Sequence, residues 1–137
     1  METPQSAPGA PAARGSDVAA LGAVLTMLAV AAGAFGAHAL RSRLGEMQLE
    51  IFQTAARYHL VHAVALVAIG LATPAWPRKN FAPAAWLMAI GIVLFSGSLY
   101  ALALGAPGWS GIITPLGGLA FIVAWLMLAL TLMRRDA

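Results

Sequence analysis

The stretch RYHLVHAVALVAIGLA, Arg57 to Ala72, puts an arginine, a tyrosine and two histidines at the head of a run of aliphatic and small residues. After His62 the run contains no charged or hydrogen-bonding side chain. About 20 such residues at 1.5 Å rise cross a hydrocarbon core ~30 Å thick, so the segment reads as a membrane span. Its polar head poses the functional question.

Three further runs flank it, giving spans at about Val18–Leu40, Thr54–Thr73, Phe81–Leu104 and Pro115–Met133. Each holds roughly 19–24 residues, long enough to cross. Without water inside a bilayer, backbone groups must pair within each segment, which makes the runs helices. The fold class is therefore all-α, a four-helix transmembrane bundle. Composition agrees: of 137 residues 61% are hydrophobic and 9% charged, too little polar surface to cover a soluble domain of this size. The length suits one domain, over residues 17–137.

The ends of the runs carry turn chemistry. Thr114 before Pro115 suits a helix start, TPAWP (Thr73–Pro77) ends the second run, and GAPGWSG (Gly105–Gly111) forms a turn. Trp76 and Trp109 sit where headgroups lie. Residues 1–16, METPQSAPGAPAARGS, are rich in Pro, Ala and Gly and are expected to be a disordered tail. The first run is too long for a secretory h-region and lies behind this tail, so it is read as a span. Between spans one and two, Leu44, Met47, Ile51 and Phe52 recur at helical spacing, which predicts a short amphipathic helix lying in the interface.

Charge and chemistry exclude several classes. The absence of cysteine removes disulfides and thiolate metal sites. The formal charge is +3, but the basic residues stand singly or in pairs beside apolar runs, so they orient the chain and do not form a nucleic-acid surface. Arg14, Arg78, Lys79, Arg134 and Arg135 share one side of the bilayer, against Arg41 and Arg43, with Arg57 at the edge. Both termini are accordingly expected in the cytoplasm, and the cytoplasmic membrane is the expected location. The bilayer is the first partner; a second copy or a larger membrane protein is the other.

Small residues offer close helix contact, which must help hold helices in lipid. Ala29, Gly33 and Ala37 repeat at spacing four, with Gly36 beside them. Gly97, Ala101 and Gly105 do so on the third span, and Thr114 with Gly118 on the fourth, next to Gly117.

Polar side chains gather in one half of the bundle, called here the outer half. His38 ends span one; Tyr58, His59 and His62 open span two; Ser96, Ser98 and Tyr100 lie late in span three; Thr114 starts span four. At 100° per residue Tyr58 and His62 lie about 40° apart, and Ser96 and Tyr100 share a face likewise. His62 and Ser96 lie at matching depth, roughly 12 Å in, so they are candidates to meet across the bundle. One role for the set His38, Tyr58, His62, Ser96, Tyr100 and Thr114 is hydrogen bonding between helices. A second is ligation of haem or a metal by His38 and His62. A third is proton coupling or transport through His38, Tyr58 and His62. Hydrolysis by Ser96 and His62 lacks an intramembrane carboxylate. The favoured reading is a non-catalytic structural or accessory component with no cofactor.

Four segments together carry a resemblance: GAFGAHAL (Gly33–Leu40), QTAARYHLVHAVAL (Gln53–Leu66), LFSGSLYALAL (Leu94–Leu104) and ITPLGGLAFIVAWLML (Ile113–Leu128). In this order they resemble the YgdD-like small inner-membrane proteins, a bacterial family of unknown function with relatives in mitochondria-bearing organisms. Gly33, Gly36, His38, Gln53, Tyr58, His62, Ser96, Gly97, Ser98, Tyr100, Thr114, Pro115, Gly117 and Gly118 fall on the family's pattern; Arg57, His59 and the long tail do not. The resemblance implies a four-helix protein of the cytoplasmic membrane and no particular activity, substrate or cofactor.

Overall fold

The structure, a computed structural model, describes residues 15–134. Most of the expected disordered tail, with Arg14 and Arg135 of the charge comparison, lies outside the described residues. Among the described residues lie five α-helices: α1 (Gly15–His38), α2 (Glu46–Ala72), α3 (Ala82–Gly91), α4 (Gly97–Ala103) and α5 (Thr114–Met133). A π-helical turn over Ile92–Ser96 joins α3 to α4, so the two form one continuous third rod. The result is an all-α bundle of four rods, each long and apolar enough to cross a membrane. Their outward faces carry bare hydrocarbon such as Met27, Leu71, Val93 and Ile122, which suits a lipid solvent and would not suit water.

Local chemistry sets the ends. Asp17 lies in the first turn of α1, where the helix dipole favours an anion. This helix already includes Gly15 and Ser16, two residues assigned to the tail from sequence. At the end of α4, Ala106 N–H donates to Ala101 O (2.9 Å) and Gly105 N–H to Leu102 O (3.2 Å). This paired closure needs a left-handed residue, and Gly105 supplies it with φ 97°.

The amphipathic segment after span one is helical, but it does not lie apart. From Glu46 it is continuous with α2, whose 27 residues span about 40 Å. That exceeds the hydrocarbon core by two turns or so, and the excess projects outward as a straight extension. Of its apolar residues, Phe52 is buried against Leu40 and Ala103, with Leu44, Leu49 and Ile51 partly buried around them. Only Met47 is left open, at 76% exposure. Protein contact has replaced the interfacial lipid that the sequence suggested.

α1 packs along α2, α2 packs on α4 and the π turn, and α3 packs on α5. The first of these contacts is built on small residues seven apart. Gly15, Gly22, Ala29 and Gly36 of α1 lie toward α2, which answers with Ala56, Ala63 and Gly70. A Cβ placed on Gly22 would sit 2.6 Å from Val67 N, and one on Gly70 2.5 Å from Gly15 O. The spacing-four stripe expected from sequence does not make this contact. Gly33 and Ala37 are exposed, and a Cβ on Gly33 or Gly97 would meet nothing within 4 Å.

The contact between rods three and four has a different form. Phe121 of α5 lies over Gly91 of α3, where a Cβ would fall 2.6 Å from its ring; Phe95 of the π turn lies over Gly117 of α5, where a Cβ would fall 2.7 Å from the Phe95 Cα. Glycine and phenylalanine are four apart on each rod, so the Phe121 ring fills the space over Gly91 while the Phe95 backbone fills the space over Gly117. Gly118 lies beside this contact, 3.7 Å from the Phe95 ring by the same measure.

Backbone contact this close tolerates no extra carbon. Gly70→Ala and Gly117→Ala are each expected to lower the free energy of unfolding in detergent by about 1–3 kcal/mol, the usual penalty of overpacking. Gly33→Ala and Gly97→Ala should leave the thermal midpoint unchanged or slightly raised. Equal losses at all four glycines would show that the contacts are misassigned.

Candidate functional site

The outer half of the bundle holds three separate polar arrangements. In the first, Tyr58 and His62 of α2 meet the rings exchanged between rods three and four. The His62 imidazole stacks on Phe121 with centroids 3.5 Å apart and planes 13° from parallel. Tyr58 lies 4.6 Å from Phe95, and Trp125 presents an edge to His62 at 6.1 Å. His62 Nδ1–H donates to the Tyr58 carbonyl at 2.7 Å. A carbonyl can only accept, so this bond places the proton on Nδ1. It fixes the ring plane that stacks on Phe121.

In the second arrangement, His59 Nδ1 and the Tyr100 hydroxyl are hydrogen-bonded at 3.3 Å, joining α2 to α4. Tyr100 also packs on Phe52 at 4.9 Å between centroids. In the third, the hydroxyls of Ser98 and Thr114 are 2.7 Å apart, joining α4 to the start of α5. Ser98 also donates to the Phe95 carbonyl at 3.0 Å, one turn back. Ser98 has a single hydroxyl proton, so Thr114 donates to Ser98 when Ser98 donates to Phe95.

The sequence candidates fall out unevenly. Tyr58 and His62 form one cluster, Tyr100 a second and Thr114 a third. Ser96 is completely buried, but its hydroxyl has no hydrogen-bond partner. It does not meet His62, because the π turn adds a residue to the rod and breaks the 100° step on which that pairing was drawn. His38 is exposed at the end of α1, away from the buried His62, so these two histidines do not face one another as a ligand pair. Among the described residues no three of His, Cys, Asp and Glu converge as metal ligands.

Two kinds of residue escaped the sequence. His59, set aside because it stands outside the family's pattern, is the buried partner of Tyr100, and its Nε2 is buried without a hydrogen-bond partner. Phe95 and Phe121 read as ordinary apolar residues. Their signal was present as a repeated spacing, glycine then phenylalanine four later, in GIVLF (Gly91–Phe95) and GGLAF (Gly117–Phe121).

The inner half behaves differently. Thr26, Thr73 and Thr131 donate to the carbonyls of Gly22, Ile69 and Met127 in their own helices, each at 2.8 Å. Such bonds satisfy a hydroxyl in lipid without joining two helices. Hydroxyl and imidazole bridges between rods belong to the outer half.

The two serines of α4's approach should thus respond oppositely to truncation. Ser98→Ala leaves Thr114 without its partner and is expected to cost about 1 kcal/mol of stability in detergent. Ser96→Ala removes a buried hydroxyl that bonds nothing, and should be neutral or stabilising by thermal unfolding. A loss at Ser96 as large as that at Ser98 would contradict the geometry.

Comparison with known proteins adds the family. The description "Protein of unknown function (DUF423)" covers a family that matches residues 32–118. The UPF0382 membrane protein YwdK of Bacillus subtilis is 45% identical over 109 residues, 79% of this chain and 89% of that one. The UPF0382 membrane protein SSP2132 of Staphylococcus saprophyticus is 46% identical over 110 residues, 80% and 91% of the two chains. SH2409 of Staphylococcus haemolyticus, of the same description, is 43% identical over 111 residues, 81% and 90%. No solved structure matches. The family match covers well over half of the chain, and the four apolar rods fit relatives that are named membrane proteins; this chain is a membrane protein and belongs to the DUF423 family.

Proposed function

We propose that this chain is a non-catalytic structural or accessory component of the cytoplasmic membrane, with both termini in the cytoplasm. Its outer cluster of His, Tyr and Ser side chains locks the helices in register, and the resulting rigid bundle packs against a second copy or a larger membrane protein. The finer likeness to YgdD-like inner-membrane proteins belongs to the same proposal. The observation that carries it is the 3.5 Å stack of His62 on Phe121. The most deeply placed imidazole in the bundle is committed to an aromatic face and to its own backbone. His59, the other buried histidine, supports this through its bond to Tyr100 on another rod.

The structural role predicts that shape matters more than ionisation at position 62. His62→Phe keeps a flat ring on Phe121 and should stay within about 1 kcal/mol of the parent in detergent, while His62→Ala should lose on the order of 2 kcal/mol. Proteoliposomes holding a pH-sensitive dye should show no more proton flux than empty vesicles. A flux that His59→Phe or His62→Phe abolishes would reject the structural role in favour of proton coupling.

The orientation is tested by labelling, which the lack of native cysteine makes simple. In intact cells a membrane-impermeant maleimide should modify Ser42→Cys in the first loop, and should reach Asn80→Cys in the second only after permeabilisation. The reverse pattern would invert the topology.

A further inference from the structure

At the inner end of the bundle, opposite the polar cluster, α1 and α3 flank α2 without closing over it. Between them lies a cleft of about 210 Å³, walled by Val18 and Leu21 of α1 and by Ala85 and Trp86 of α3. Leu66 of α2, fully buried, forms its floor. Its lining is almost wholly hydrocarbon, with the Asp17 side chain at one edge.

Val18 and Ala85 also border a second space, of about 270 Å³, so the two spaces adjoin. Here the lining changes character: Thr73, Arg78, Lys79 and Asn80 surround the opening. Lys79 donates one ammonium hydrogen to the Leu132 carbonyl at 2.8 Å, and an ammonium has three to give. The Asn80 side-chain oxygen accepts the Ala82 N–H at 3.1 Å, which turns this residue's amide group into part of the α3 start. Trp76, in the same connection, sets the opening at headgroup level.

An apolar slot open to lipid, ending in a mouth with two cations against the single carboxylate of Asp17, matches an amphiphile with a negative head. We propose that this inner cleft holds one anionic phospholipid, an acyl chain lying on Leu66 and the phosphate held at Lys79 and the Asn80 amide. Basic pockets between spanning helices take anionic headgroups for this reason: phosphate is drawn to the cations while its chain stays in an apolar groove. The site is independent of the outer cluster and shares no residue with it.

The test uses the full chain in neutral detergent with equal amounts of phosphatidylglycerol and phosphatidylcholine, read by native mass spectrometry and by thermal midpoint. Phosphatidylglycerol adducts should exceed phosphatidylcholine adducts by about fivefold, the effect of a basic residue at a charged surface. Asn80→Asp keeps the oxygen that caps α3 but adds a negative charge at the mouth. It should abolish the preference while leaving the lipid-free midpoint unchanged. Leu21→Trp fills the cleft and should remove adducts of both lipids. Equal binding of the two lipids by the parent chain, an intact preference in Asn80→Asp, or undiminished adducts in Leu21→Trp would overturn the proposal. So would lipid-free dimers that Leu21→Trp dissociates, which would assign the cleft to a second copy.

Discussion

Two phenylalanines laid over two glycines hold the centre of this molecule. In water, burying Phe95 and Phe121 would itself drive rods three and four together. In lipid that drive vanishes, since acyl chains solvate a ring as well as protein does, and what remains is the density of contact. The missing Cβ at Gly91 lets the Phe121 ring approach backbone, and the missing Cβ at Gly117 lets the Phe95 backbone do so, each with more contact atoms than lipid supplies. Once the two rings are fixed, they present flat faces toward α2. Tyr58 and His62, one turn apart on that helix, settle on Phe95 and Phe121 respectively. The polar residues that drew attention in the sequence are thus seated by an apolar contact formed between two other rods.

The close packing of α1 on α2 shows why a stripe of small residues is easily misread. Residues four apart advance around a helix by about 40° per step, so Ala29, Gly33 and Ala37 walk away from any straight partner. Residues seven apart drift by only ~20°, and a slight left-handed coil removes even that. Gly15, Gly22, Ala29 and Gly36 therefore keep facing α2 for the full length of α1, while Gly33 looks outward. Both spacings were present in the sequence. Only the longer one matches a contact running the whole length of a span.

What could be read in advance follows from the solvent. Length and hydropathy determine four spans because a bilayer demands internally bonded backbone and ~20 apolar residues, whatever the tertiary packing. The gathering of polar groups at one half was legible for the same reason. Their pairing was not, because it depends on rotation about each rod. The π turn at Ile92–Ser96 changes that rotation by one residue, sending Ser98 to Thr114 and Tyr100 to His59 and leaving Ser96 unbonded. No residue in IVLFS announces such a turn. Tertiary contact supplies it, since the backbone of Phe95 must meet Gly117.

The two ends of the bundle differ because α1 is held so tightly by α2. A helix seated on small residues sits deep against its neighbour, and the same seating keeps it from leaning across toward α3. At the outer end the chain compensates: the extended start of α2 carries Phe52 into a small core with Leu40 and Ala103, tying α1's exit to α4. At the inner end the Phe81 ring is buried in one core cluster with Val18 and Ala85 and meets Trp76 at 6.0 Å. There Lys79 reaches the Leu132 carbonyl near the end of α5 and so joins the connection between rods two and three to rod four. Beside Leu66 a cleft is left between α1 and α3. The opening follows from the seating of α1 on α2, and hydrocarbon from the surrounding leaflet is the material at hand to fill it.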